Sequence, residues 1–152
     1  MVNPINRVLA VDYGLKRIGF AVGNDKEKIA FPGEVIKNSG FELVYSYIKN
    51  FVIKWEISIL LVGLPLNMES NVDSKISIKV KDFFALIDDK AKKEDNEWLQ
   101  NLKIIFFDER LSTFEADKKI LESGTNYKFD KSNQDAIAAQ VILQRFFDNQ
   151  SN

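Results

Sequence analysis

The run Ile57-Ser58-Ile59-Leu60-Leu61-Val62-Gly63 is nearly continuous in apolar character and is closed by Leu64-Pro65. A strand with one wet face alternates apolar and polar residues, so a strand without alternation is expected to be covered on both faces. Helices supply such covers, and the rest of the chain offers them. Strand character marks residues 7–12, 17–23 and 29–36, the last carrying Pro32, which places it at an edge or at a strand start. Ser39-Gly40-Phe41-Glu42 has the form of a helix entrance with an acid three residues after the cap. Leu43, Tyr47, Ile48, Phe51 and Trp55 follow at helical spacing. Val72, Ile76, Val80, Phe83, Phe84 and Ile87 predict a long helix closing in the charged run Asp88-Asp89-Lys90-Ala91-Lys92-Lys93. Another strand is expected over 102–107, a short helix from the capping box Ser112-Thr113-Phe114-Glu115 to near Gly124, and a last helix from about Ser132 to Phe147. This order implies an α/β fold with a mixed five-stranded sheet flanked by helices, an antiparallel hairpin unit joined to parallel strands. With 152 residues, 45% of them apolar, and no Pro/Gly/Ser-rich linker, residues 1–152 are expected to form a single domain.

The composition narrows the chemistry. There is no His and no Cys, which removes Ser/His triads, thiol nucleophiles, structural zinc sites and disulfides together. Hydrolysis would have to rest on carboxylates, hydroxyls, Lys or a bound metal. The start, Met1-Val2-Asn3-Pro4-Ile5-Asn6-Arg7, has no charged-then-apolar leader pattern, and no apolar run reaches membrane-span length, so a cytoplasmic protein with no membrane partner is expected. Net charge is -1, from 21 basic and 22 acidic residues, which gives no global electrostatic case for nucleic acid. It does not exclude a nuclease, because a carboxylate site lowers the total by itself.

Three acids stand at element ends. Asp12 closes Val8-Leu9-Ala10-Val11, where a buried strand meets the turn Tyr13-Gly14; Asp disfavours strands and is costly to bury without compensation. An Asp capping its own turn is the ordinary alternative. Asp108-Glu109 follows the strand Ile104-Ile105-Phe106-Phe107, and sites assemble at the carboxyl ends of parallel strands; an acidic loop paired with Arg110 is the ordinary alternative. In the last helix Asp135 lines up with Ala139, Ile142 and Phe146 on a face expected to be buried, while Gln140 and Gln144 are expected to mark the wet side. With Ser132 as cap, Asp135 could instead return a capping hydrogen bond. If the two strand ends and the helix share one edge, the acids repel one another, and a hard divalent cation is the usual remedy. Two such ions clamp a phosphodiester without His or Cys.

Asp12-Tyr13-Gly14-Leu15-Lys16-Arg17-Ile18-Gly19, Val62-Gly63-Leu64-Pro65-Leu66-Asn67-Met68, Asp108-Glu109-Arg110-Leu111-Ser112-Thr113 and Asp135-Ala136-Ile137-Ala138-Ala139 together resemble the YqgF family, in the right order and over essentially the whole chain. That family has the ribonuclease H-like fold and is also described as Holliday-junction-resolvase-like or as a pre-16S rRNA nuclease. The resemblance implies that Asp12, Glu109 and Asp135 are catalytic, metal-binding acids, with Mg²⁺ or Mn²⁺ as cofactor. Lys16, Arg17 and Arg110 would be phosphate partners. It further implies metal-dependent processing of the 5′ end of pre-16S rRNA, with RNA and ribosomal particles as partners and branched DNA as the alternative substrate. An actin-like or sugar-kinase ATPase also places Asp-x-Gly after its first strand, but needs two domains around the nucleotide. A nucleic-acid- or ribosome-binding module that no longer catalyses stays open.

Overall fold

Strands β1 (Arg7–Tyr13) and β2 (Arg17–Asn24) form the hairpin that the sequence predicts, with Asp12 opposite Gly19 and Tyr13 opposite Ile18 next to the turn. The structure, a computed structural model, describes residues 4–64, 75–108 and 131–150. After the hairpin come β3 (Phe31–Lys37), α1 (Phe41–Trp55), β4 (Ile59–Leu64), α2 (Lys75–Lys92), α3 (Glu97–Asn101), β5 (Lys103–Asp108) and α4 (Lys131–Gln150). The five strands make one mixed sheet in the order β3-β2-β1-β4-β5. β1 pairs antiparallel with β2, and β2 with β3; β1 and β4, then β4 and β5, pair in parallel. Pro32 sits on β3, the edge strand, where a residue without a backbone donor is tolerated.

Alternation along β1 divides the interior between the two faces of the sheet. Leu9 and Val11 point into a core with Ile48 and Val52 of α1 and Val80 and Phe84 of α2, whereas Val8 and Ala10 join Ala139, Ile142, Leu143 and Phe147 of α4. β4 feeds both: Leu60 and Val62 go to the first core, and Leu61 goes to the second. Hence its sequence lacks alternation. Each large side chain of this kind is worth roughly 1.5–3 kcal/mol on burial.

Several local expectations change. Strand β3 begins at Phe31 and not at residue 29, whereas α2 ends at Lys92, inside the charged run where the sequence closes it. Helix α1 forms as predicted, but its N-cap is Gly40 with no side-chain cap bond, so the capping box is not used. Its buried stripe is Val44, Tyr45, Ile48 and Val52, while Leu43 and Trp55 are half or more exposed. Apolar residues surround so much of α1 that periodicity alone does not fix which stripe faces the sheet. The short α3 is not among the elements that the sequence predicts; it is capped by Asn96, whose side chain accepts from the Leu99 amide at 3.1 Å. Helix α4 is already running at Lys131, so Ser132 lies inside it and is not its cap. The capping-box helix expected from Ser112 to Gly124 and the loop after Pro65 lie outside the described residues.

Candidate active site

Asp12 shares its face of β1 with Val8 and Ala10, so its carboxylate stands on the α4 side of the sheet, at the carboxyl edge of the parallel strands. Across the hairpin its partner is Gly19. The residues of β2 on this face are Gly19, Ala21 and Gly23, small enough for a helix to settle directly on the strand. A Cβ at Gly19 would run into the Asp135 carbonyl and lie 2.7 Å from the Ala136 nitrogen; one at Gly23 would lie 2.8 Å from the Phe147 ring. Ala136 and Ala139, both buried, make the matching surface on α4. Small residues on strand and helix thus bring the backbone of Asp135 onto the strand position opposite Asp12.

The consequence is electrostatic. Burial first, and the Asp135 carboxylate second, push the Asp12 carboxyl up from 3.8 to about 6. Asp135 itself is partly exposed and has a cationic neighbour: Arg17 Nε donates to its Oδ2 at 3.0 Å. The two acids therefore differ in environment, one taken out of water and the other held at the rim by a guanidinium. Arg17, expected to be a phosphate partner, is here bonded to the acid. Lys16 is exposed in the same turn.

Gln140 and Gln144 are not on a wet side. Gln140 Nε2 donates to the Ala30 carbonyl at 3.1 Å, and the Gln144 amide accepts from Ala30 N at 3.0 Å and donates to the Lys28 carbonyl at 3.0 Å. These bonds fasten α4 to the β2–β3 connection and fix its position along the strand. Polar side chains on a helix read as solvated, and nothing in their spacing shows that unpaired backbone groups of a neighbouring loop need them.

The predicted Glu109 and Arg110 lie outside the described residues. Asp108, the residue before them, ends β5 opposite Leu64 of β4, on the carboxyl edge that also carries Asp12. Among the described residues no group of three His, Cys, Asp or Glu side chains gathers in metal-binding geometry. The described part of the site supplies two carboxylates, Asp12 and Asp135. Two hard oxygen donors whose charges oppose each other, one partly desolvated, form a donor set of the kind that suits Mg²⁺ or Mn²⁺. Such a pair can bind a cation.

Comparison with known proteins identifies the family and the fold. Residues 6–149 match the family model RuvX, described as Holliday junction resolvase. A protein of Mesomycoplasma hyopneumoniae (strain 7448) named "Putative pre-16S rRNA nuclease" is 34% identical over 143 residues, covering 93% of each chain. One of the same name from Rickettsia peacockii (strain Rustic) is 32% identical over 149 residues, covering 98% of this chain and 90% of its own. Among solved structures, Thermus thermophilus RuvC superposes with a TM-score of 0.61 at 12% identity over 95% of this chain and 96% of its own. The yeast mitochondrial Holliday junction resolvase gives 0.57 at 11% identity over 99% and 81%. Those structural likenesses establish the ribonuclease H-like resolvase fold that the sequence predicts, with its mixed five-stranded sheet. On the family match and the identity to these relatives, the chain belongs to the RuvX/YqgF family.

Proposed function

We propose that this protein is a metal-dependent nuclease that processes the 5′ end of pre-16S rRNA in the cytoplasm. The observation that carries the reading is the meeting of Asp12 and Asp135 across Gly19, one carboxyl pushed up to about 6 by burial and by the other's charge. Arg17 compensates Asp135, but no cation among the described residues compensates the raised Asp12 carboxyl, and a divalent ion at this edge would. The names of the relatives, and the family description, support a nucleic-acid phosphodiester as the substrate class. Asp12, Asp135 and Glu109 would hold Mg²⁺ or Mn²⁺, which would supply positive charge at the phosphate and a bound water of lowered pKa. Hydrolysis then adds one water across a P–O bond, leaving a phosphomonoester and a hydroxyl. In the protein, Asp12 fixes one ligand on a rigid strand, and the Arg17 guanidinium holds the Asp135 carboxylate in place at the rim.

The test is cleavage by purified protein, with and without Mg²⁺ or Mn²⁺, of an RNA spanning the pre-16S 5′ junction, an unrelated single-stranded RNA and a four-way DNA junction. Metal-dependent cut of the first at a defined position is the expected result. Preference for the four-way junction would move the assignment to a DNA resolvase, and absence of cleavage on all three to a binding module.

A further inference from the structure

The turn of the β1–β2 hairpin is not left to itself. Asn38, just after β3, donates its backbone N–H to the Lys16 carbonyl at 2.8 Å and its side-chain amide to the Gly14 carbonyl at 3.0 Å, while its Oδ1 accepts from Gly40 N at 3.4 Å. The register sets Lys37 opposite Arg17. Asn38 thereby staples the end of β3 to the turn, and a cleft of about 650 Å³ opens between them, lined by Leu15, Lys16, Arg17, Ile36, Lys37 and Asn38. Among the described residues that line the cleft, three are cations and none is a carboxylate. Arg17 is shared with Asp135; Lys16 and Lys37 are exposed and take part in no ion pair among the described residues. Leu15, 58% exposed, gives the cleft an apolar lip. With Gly19 opposite Asp12 and Arg17 opposite Lys37, pleat and strand spacings put the Lys37 Cα roughly 12 Å from that of Asp12. On one nucleic-acid strand that is a few nucleotides.

We propose that this cleft is a second contact point for the substrate strand: Lys37, with Lys16, binds a backbone phosphate a few nucleotides from the bond that is cut. Asn38 is the positioning residue that holds the two lysines side by side. The proposal rests on the nuclease reading above and adds to it a fixed track from Asp12 outward past the edge strand. Sequence alone hides the track, since Lys37 is far in the chain from every acid of the site and only the β2–β3 register brings it to Arg17.

The experiment measures binding in EDTA, where no metal-dependent cut can occur, by anisotropy of a short fluorescein-labelled single-stranded RNA over a range of salt. Loss of one phosphate contact should lower the slope of log K against log salt by about 0.7, which is about fivefold in affinity at 0.1 M salt. Lys37→Gln is expected to show both effects and Lys37→Arg neither. Asn38→Ala should weaken binding although it removes no charge. Lys103→Gln is the control, because Lys103 starts β5, level with Ile59 and hence at the opposite edge from Asp12. Thermal melts establish that each variant is folded. Wild-type affinity and slope in a folded Lys37→Gln protein, or an equal loss in Lys103→Gln, would overturn the track while leaving the metal site untouched. Wild-type protein that neither binds nor cleaves RNA would overturn the nuclease reading and the track with it.

Discussion

Replacing Asp12 by Asn should make the metal-free protein more stable, and only above a definite pH. The Asp12 carboxyl is raised from 3.8 to about 6, first by burial and second by Asp135, so the native state holds this proton more tightly than the unfolded chain does. Stability that depends on the proton is whole below about pH 3.8 and is lost as pH rises through 6. Above that, the ionised carboxylate costs about 3 kcal/mol, since each tenfold gain in proton affinity on folding corresponds to about 1.4 kcal/mol. Asn has the same shape and no charge. The difference in unfolding free energy between Asp12→Asn and wild type should therefore be small near pH 4 and grow to as much as about 3 kcal/mol by pH 7–8, roughly 6–12 °C in Tm for a chain of this size. Carboxylates remote from Asp12 are common to both proteins and drop out of the difference; Asp135, whose charge acts on Asp12, is part of what the difference reads. The assay is urea denaturation of both proteins in EDTA from pH 4 to 8. A difference that does not change with pH, or an Asn variant less stable by about 1 kcal/mol or more at pH 7, would mean instead that hydrogen bonds of the turn compensate the Asp12 charge.

Three further outcomes follow from the same geometry. Mg²⁺ at a hundredfold its Kd should stabilise the wild type by about 2.7 kcal/mol at pH 7.5 and leave Asp12→Asn nearly unchanged, which a melt series with and without the ion would check. Gly19→Ala should destabilise by roughly 1–3 kcal/mol, since its Cβ meets the Asp135 carbonyl and α4 has to lift off the strand; equal stability in urea would mean the helix is not seated as described. Arg17→Gln should cost no more than about 1 kcal/mol in a melt at neutral pH, because the Arg17 side chain is 51% exposed and water screens the pair.

Much of the fold is legible in the sequence because its signals are local. Apolar continuity in β4 marks a two-faced strand, Pro32 marks an edge, and the order of elements implies the mixed sheet. The stripe of α1 that faces the sheet is not legible, because apolar residues run around most of that helix and periodicity cannot choose among them. In the site, Asp12 and Asp135 stand out by their positions at a strand end and on an inward helix face. What presses them together, the Gly19-Ala21-Gly23 stripe on β2, is written in the sequence as small residues at alternate positions, a pattern that asks for a closely packed helix. By contrast, the bonds of Gln140 and Gln144 to the β2–β3 connection, and the register that sets Lys37 beside Arg17, depend on segments distant in sequence. No local pattern carries them.

We propose that the acids of the carboxyl edge hold a metal that cuts nucleic acid. It is tested most directly by the rate of Mg²⁺- or Mn²⁺-dependent cleavage of a pre-16S 5′-junction RNA by wild-type and Asp12→Asn proteins, both shown to be folded by melting. Loss of a shared metal ligand removes several kcal/mol of transition-state stabilisation, so the variant should be slower by at least about a hundredfold. Cleavage by folded Asp12→Asn protein at a rate near that of the wild type would contradict the account and leave Asp12 a structural acid.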